Sequence, residues 1–228
     1  MIGVRHFWID MSFAFWTGRV RLARPTVALW LCLGLGMGLG MSQPAGAVGA
    51  DAVGVNYPDS LRVEGVTLSL NGTGVAYRAL VKLYTVGLYL PTKTSNPTEV
   101  LDMSTPRRLR FVMLQGMRVD ELGKVITKGI ENNSSREEFF KLIPSIRTMG
   151  EQFSRIRRLN ANDTLSVEYV PKRGTVFYVN GQPAGLPIAD ANFFPAILRV
   201  WLGTNPTTQD LKDALLDQRA QPVLEALL

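Results

Sequence analysis

The only cysteine of this 228-residue chain, Cys32, and its only histidine, His6, both lie in a leading segment with the pattern of a removable export signal. Once that segment is removed, the rest of the chain can form no disulfide. Its fold must then be stabilised by a hydrophobic core, even in an oxidising compartment where disulfides are common. Without an imidazole or a thiol, catalysis that depends on either group is also excluded.

The leading segment has the order of a signal peptide. Its arginines precede an apolar run at residues 27–41 (VALWLCLGLGMGLGM), and Ala45-Gly46-Ala47 matches the small-residue rule of signal peptidase. The run is shorter than the roughly 20 residues of a membrane span. We therefore predict a signal peptide at residues 1–47 and a periplasmic or secreted protein, the alternative being a retained N-terminal anchor. Translation starts at Met1 or Met11, and the sequence does not distinguish them.

Removal of residues 1–47 leaves 181 residues, enough for one domain with its own core. We predict a polar linker at residues 48–60, a domain at residues 61–216 and a C-terminal tail at residues 217–228. The chain after residue 47 has 21 basic and 18 acidic side chains, a net charge of +3. This small excess does not favour a nucleic-acid partner.

Two groups of arginines stand out in the domain. Arg107, Arg108 and Arg110 form the first, and residues 155–158 contain the second. Neither group has the interleaved aromatic residues of a nucleic-acid site. We interpret both as solvated edges of a strand and a helix.

Alternating apolar and polar residues predict antiparallel strands. Residues 66–70 (VTLSL) have period two, and the following Asn71-Gly72-Thr73-Gly74 predicts a turn and hence a hairpin. The run at residues 75–90 is long and rich in Tyr, Val and Leu. Further strands are predicted at residues 107–115, 164–169 and 175–179.

Apolar residues at three- and four-residue spacing predict helices. Ser135 and Glu138 have the spacing of a capping box, and Pro144 predicts a break that leaves residues 145–156 as a separate helix. Asp190 is predicted to cap a later helix, which ends at Gly203. The predicted helices lie near residues 97–103, at residues 119–130, from residue 135 to 156 with the break, at residues 193–202 and at residues 208–216.

Hairpins followed by clustered helices, another hairpin and terminal helices predict an α+β domain. Its large antiparallel sheet carries helices mainly on one face.

The sequence contains few groups that could perform chemistry. The segment after residue 47 has no histidine or cysteine, so it has no His-based triad, no thiolate nucleophile and no ordinary zinc site. No calcium-loop pattern occurs, and Asn71-Gly72-Thr73-Gly74 lacks the lysine of a phosphate loop. We therefore expect no cofactor and no metal.

Two strand motifs carry a resemblance to a known family. Residues 71–78 (NGTGVAYR) and 81–90 (VKLYTVGLYL) resemble the chalcone isomerase-like family. Residues 111–129 resemble that family's central strand and helix, and residues 186–203 resemble its closing helix, in the form typical of exported bacterial members. The resemblance extends over nearly the whole predicted domain.

The resemblance implies an open-faced β-sandwich, in which a large antiparallel sheet packs against a helical layer with the ligand cleft between them. It also implies one of two modes of action. Plant enzymes of the family cyclise a chalcone to a flavanone, whereas other members are noncatalytic fatty-acid binders that hold the carboxylate with arginine and tyrosine.

The functional positions of the family are only partly retained. Its arginine corresponds to Ala76, although Arg78 lies two residues further along and on the same strand face. Its threonine corresponds to Thr85. Its helix tyrosine and asparagine correspond to Leu122 and Gly129, which offer no polar group to the charge that develops during cyclisation.

We predict that Arg78, Thr85 and Tyr77 bind the ligand, with the guanidinium of Arg78 at a carboxylate. The alternatives are an exposed strand-edge charge for Arg78, an ordinary strand hydroxyl for Thr85 and a packing role for Tyr77.

Three functional hypotheses result. The first is an exported, noncatalytic binder of a small amphipathic carboxylate such as a fatty acid. The second is an intramolecular lyase or isomerase of the chalcone isomerase type, with a rearranged active site. The third is an interaction module whose sheet or arginine-rich strand docks on another envelope protein.

Overall fold

The computed structural model describes residues 50–218. The predicted signal peptide, with His6 and Cys32, lies outside the described residues, as do residues 219–228 of the predicted tail. None of the helices within the described part of the chain has the length and apolar character required to cross a bilayer.

Seven antiparallel strands form one large sheet, and two short strands form a separate pair. The sheet order is β1-β2-β3-β4-β7-β8-β9, so the neighbours β4 and β7 are joined through the helical segment between them. The strands are β1 (Ser60–Val63), β2 (Val66–Arg78), β3 (Val81–Leu90), β4 (Arg107–Met113), β5 (Met117–Arg118), β6 (Arg158–Leu159), β7 (Thr164–Val170), β8 (Gly174–Val179) and β9 (Gln182–Pro183).

Five α-helices are described, preceded by a short 3-10 helix at Ala50–Val53. The α-helices are α1 (Pro97–Asp102), α2 (Val119–Asn132), α3 (Arg136–Ile156), α4 (Phe193–Leu202) and α5 (Gln209–Leu215). The helices pack mainly on one face of the sheet, which confirms the predicted α+β class and its layered arrangement.

The main core lies between the sheet and the helices. Alternate residues of the central strands point toward the helical layer, among them Val86 of β3 and Phe111 of β4, both fully buried. Trp201 of α4 packs on Phe111 with ring centroids 5.1 Å apart. Because α4 is apolar nearly all round, it lies in the interior, in contact with α1, α2 and β8.

The hairpin predicted at Asn71-Gly72-Thr73-Gly74 is wrong, because β2 runs straight through these residues. The chain turns instead at Glu64 and Gly65, between β1 and β2, and again after Arg78. The glycines of β2 serve close packing rather than turning. A Cβ on Gly72 would lie 2.3 Å from the carbonyl oxygen of Ala214, so only glycine lets α5 approach the strand this closely.

The opposite face of the sheet has a smaller core of its own. The segment before β1 lies on this face and buries Ala50 and Tyr57, within the residues that the sequence predicts as a polar linker. Tyr57 lies directly over Gly87 of β3, where a Cβ would come within 2.7 Å of the ring. Residues 50–58 therefore contribute packing to the sheet.

The prediction of a solvated strand edge is wrong for the arginines of β4, which is a central strand. Arg107 is 1% exposed, and its guanidinium donates hydrogen bonds to the carbonyl oxygens of Val100 and Leu101 at the end of α1. Arg108 is paired with the buried Glu168. Arg155 and its neighbours Arg157 and Arg158, in contrast, are exposed as predicted.

Two helix predictions also need correction. Pro144 does not divide the helix, since α3 continues from Arg136 to Ile156. A proline removes only one backbone hydrogen bond, and buried residues on both sides of it, Leu142 and Met149, hold the two halves against the core. Asp190 is not the cap residue of α4, because that position is occupied by Asn192.

Candidate functional site

A cleft of about 480 Å³ lies where the end of β2 meets the helical layer. Arg78 reaches it from β2, α2 provides one wall, and Val200 of α4 contributes to the floor. The loop after α4, with Asn205 and Thr207, completes the rim. The volume is in the range of small-molecule sites.

Positive charge predominates in this cleft. Arg78, Lys124 and Lys128 line it, whereas Glu121 is its single carboxylate. The guanidinium of Arg78 lies 3.4 Å from Glu121, and the side chain is 62% exposed. A contact of this length and exposure is weak, so the guanidinium can exchange it for a ligand carboxylate. Among the side chains that line the cleft, cations exceed carboxylates by two, and these are the groups that a bound anion would meet. The acidic neighbours of the two lysines, Asp120 and Glu131, lie outside the lining.

The remaining wall of the cleft is apolar. Val125 and Gly129 of α2 face Val200 of α4 and Pro206 of the following loop. A Cβ on Gly129 would lie 2.5 Å from a methyl carbon of Val200, so the two helices touch at this point. The cleft thus combines cationic side chains with a hydrocarbon surface, which suits an amphipathic anion.

Asn133 holds the loop that forms the rim. Its side-chain amide donates hydrogen bonds to the carbonyl oxygens of Gly129 and Asn205, at 2.9 and 2.8 Å. Its side-chain oxygen accepts from the backbone amide of Asn205 at 2.9 Å. Sequence reasoning missed Asn133, because nothing in the local pattern indicates a partner 72 positions away.

Sequence reasoning also did not identify Lys124 and Lys128 as residues of a binding site. The two lysines lie one helical turn apart, on the side of α2 that borders the cleft. Each has an acidic neighbour as well, Asp120 at 3.6 Å and Glu131 at 2.8 Å, respectively. Their spacing of four residues was the available signal, but only the packing of α2 shows that they face the same cleft as Arg78.

Of the three predicted ligand-binding residues, only Arg78 lines the cleft. Thr85 lies on the opposite face of the sheet, fully buried, and its hydroxyl shares a hydrogen bond of 2.8 Å with the hydroxyl of Tyr57. Tyr77 is 39% exposed near the end of β2 and is not among the residues that line the cleft. The structure therefore does not bring the three side chains together.

Thr85 belongs to a polar cluster beneath the N-terminal segment. Burial raises the pKa of Tyr57 well above its ordinary value, although the hydrogen bond to Thr85 acts in the opposite direction. The guanidinium carbon of Arg110 lies 5.3 Å from the centre of the Tyr57 ring. Since Tyr57 stays neutral and its hydroxyl is paired, this cluster stabilises the packing of residues 50–58, the N-terminal cover, on the sheet.

The positions that correspond to the catalytic residues of the family are apolar and packed. Ala76 is 9% exposed and belongs to the main core, as does the fully buried Leu122. Gly129 has no room for a side chain, because Val200 occupies the space. Among residues 50–218, no group of three or more His, Cys, Asp or Glu side chains could hold a metal ion.

Comparison with known proteins identifies the fold. The family model described as chalcone isomerase-like matches residues 49–217. A crystal structure of a fatty-acid binding protein from Arabidopsis thaliana is similar to this chain, with a TM-score of 0.60 at 14% sequence identity. The similarity covers 76% of this chain and 97% of the plant protein. No curated protein matches the sequence.

Proposed function

Because this chain belongs to the chalcone isomerase-like family, we propose that it is a noncatalytic binder of an amphipathic carboxylate, such as a fatty acid. The ligand occupies the cleft at the end of β2, with its carboxylate at Arg78 and its hydrocarbon part against Val125 and Val200. The observation that carries the proposal is the cleft itself, which has three cations, one carboxylate and an apolar wall.

The chemistry of the cleft supports this assignment. A guanidinium presents a fork of N–H donors that matches a carboxylate, and Lys124 and Lys128 add positive charge nearby. The Arabidopsis protein of similar fold is a fatty-acid binding protein. A ligand of the same kind fits the charge and the apolar surface found here.

The alternative is an intramolecular lyase of the chalcone isomerase type with a rearranged active site. Cyclisation requires a donor where the enolate charge develops. Leu122 and Ala76 are packed in the core, and Thr85 is separated from Arg78 by the sheet. We therefore expect a chalcone to cyclise no faster with the protein than in buffer. Turnover above buffer that disappears in Arg78→Ala would favour the enzyme.

We further propose that the protein is exported and functions in the periplasm or outside the cell. The charge, apolar run and cleavage motif of residues 1–47 support this location. An envelope protein that receives the ligand is a compatible partner.

Binding of palmitate, measured by displacement of a fluorescent fatty acid, tests the proposed function. Arg78→Gln should weaken binding about tenfold, the effect of losing one charge-assisted contact at a partly exposed site. Glu121→Gln should strengthen binding, because it frees the guanidinium from its weak internal partner.

Two matched variants control the experiment. Arg155→Gln removes an exposed arginine of α3 outside the cleft, and Glu137→Gln removes an exposed carboxylate that is paired with Lys141. Both should bind palmitate as the unmodified protein does. Equal affinities in all four variants, or no binding by the unmodified protein, would overturn the assignment of this cleft.

A further inference from the structure

The hairpin that joins β2 and β3 ends in exposed apolar side chains. Leu80 is 96% exposed, Val81 44% and Tyr77 39%. Leu80 and Val81 are adjacent at the turn, and Tyr77 lies at the end of β2. The tip of this hairpin, residues 77–82, therefore presents hydrocarbon to the solvent.

The residues of this turn are unusual for a two-residue connection. Ala79 has a φ of 52°, a conformation that glycine, asparagine or aspartate normally adopts in such turns. The following position holds leucine, whose side chain gains almost no burial within the described residues. The turn thus presents a large apolar group to the surroundings instead of the usual small or polar residue.

Exposed cations surround the tip: Arg78, Lys82, Arg118 and Arg158. Three of them, together with Val81, line a second cleft of about 340 Å³ beside the hairpin. The carboxylates Asp120 and Glu121 are paired with Arg118 and Arg78. Neither Lys82 nor Arg158 has an ion-pair partner within residues 50–218, so the ring around the tip keeps an excess of positive charge.

We propose that this hairpin tip docks on an anionic lipid bilayer. Leu80 and Val81 enter the interfacial region, while the surrounding arginines and Lys82 contact the phosphates of the headgroups. Apolar side chains flanked by basic residues are the combination that binds a negatively charged membrane surface. Three apolar side chains are too few for a stable protein interface, which buries at least about 1,000 Å² in total.

The inference goes beyond the proposed ligand binding, because docking requires no bound ligand. It also has a consequence for that function. Arg78 lines both the ligand cleft and the cleft beside the hairpin. A docked tip would place the opening of the ligand cleft near the source of an amphipathic lipid.

A local fluorescent probe tests the insertion of the tip. The probe is an environment-sensitive nitrobenzoxadiazole attached to Leu80→Cys in a chain that also carries Cys32→Ser. The matched control has the probe at Leu186→Cys, since Leu186 is 84% exposed at a different place in the fold. Because the signal is local, lipid binding by residues 1–49 does not contribute to it.

With vesicles that contain phosphatidylglycerol, emission from position 80 should shift to shorter wavelength and increase, whereas emission from position 186 should not change. An unchanged signal at position 80, or equal changes at both positions, would overturn the proposal. A shift at position 80 that appears without vesicles and depends on protein concentration would indicate pairing between two copies and would also overturn it.

The charge requirement is tested separately. Arg118→Gln and Arg158→Gln should each weaken binding to these vesicles about fivefold, which corresponds to about 1 kcal/mol per basic residue at an anionic surface. Vesicles of phosphatidylcholine alone should bind much more weakly. Equal binding to both lipids, or no effect of the two variants, would contradict the proposed role of the arginines. Palmitate binding should be unchanged in both variants, so failure of docking is distinguishable from failure of the ligand cleft.

Discussion

At the scale of single residues, the neighbouring arginines of β4 occupy different environments. Arg107 lies within the main core and stacks near the rings of Tyr169 and Phe194, at 5.0 and 5.2 Å from their centres. Burial lowers the pKa of Arg107 to about 10, so it remains charged at neutral pH. Arg108 projects to the opposite face, where it meets Glu168. Sequence charge alone could not separate these cases, because each depends on a partner supplied by another element.

The pair of Arg108 and Glu168 leads to a prediction about pH. Burial raises the pKa of Glu168 above its ordinary value of 4.5, although Arg108 beside it acts in the opposite direction. Below that ordinary value, both the folded and the unfolded states hold the proton. As the pH rises, the unfolded state loses its proton first, so this residue's contribution to the free energy of unfolding decreases through the folded pKa.

Glu168→Gln should remove this dependence, because the amide oxygen still accepts from Arg108 but does not titrate. Urea unfolding between pH 4 and about 7 measures the difference. We expect the unmodified protein to lose stability relative to Glu168→Gln as the pH rises. A relative gain over the same interval would show that Arg108 outweighs burial and that the pKa is lowered.

At the scale of secondary-structure elements, the packing of α5 on β2 requires glycine at two positions of the strand. Gly72 and Gly74 lie on the helix side of β2, and a Cβ on Gly74 would come within 2.4 Å of Leu211 of α5. The side-chain amide of Asn71 also donates a hydrogen bond of 2.7 Å to the carbonyl oxygen of Leu215, near the end of the same helix. This part of β2 is therefore a helix-binding surface.

Gly72→Ala should destabilise the protein by at least about 2 kcal/mol, because the new methyl meets backbone atoms that cannot rotate away. Gly150→Ala is the matched control. Gly150 lies inside α3, and nothing lies within 4 Å of a Cβ there. That variant should gain up to about 1 kcal/mol from helix propensity. Similar unfolding free energies for the two variants would contradict the close approach of α5.

At the scale of the whole molecule, the two faces of the sheet are covered by different segments of the chain. Helices cover one face, and the segment before β1 covers part of the other through Ala50 and Tyr57. This division explains why Arg78 and Thr85, predicted as one site, lie apart. Arg78 contacts α2, whereas Thr85 bonds to Tyr57.

The segment that covers this second face, residues 50–58, lies just after the predicted signal-peptidase cleavage site. The proposed cleavage after Ala47 would give a processed protein that begins at Val48. This protein would retain both Ala50 and Tyr57 and so keep their packing on the sheet. N-terminal sequencing and the intact mass of the exported protein test this expectation. An N-terminus at Met1 or Met11 would show that the segment is retained.

The order of the elements and the fold class follow from the sequence, because period-two and helical spacing reflect which faces are buried. The strands predicted at residues 107–115, 164–169 and 175–179 lie close to the observed β4, β7 and β8, and the helices α2, α4 and α5 were predicted close to their observed bounds. The strand predicted at residues 66–70 is the first part of β2, which continues to Arg78. The resemblance of residues 71–90 to the chalcone isomerase-like family also agrees with the observed match.

Only the tertiary structure decided which residues share a site. The role of Gly72 and Gly74 depends on α5, which lies more than 130 positions later in the chain. Lys124 and Lys128 join Arg78 at one cleft because α2 packs beside the end of β2, and Asn133 holds the loop that forms the rim. Local periodicity records whether a side chain is buried or exposed, but not what it meets. Contacts between distant segments arise only when the layers pack, and these contacts separate the cleft of Arg78 from the buried cluster of Thr85.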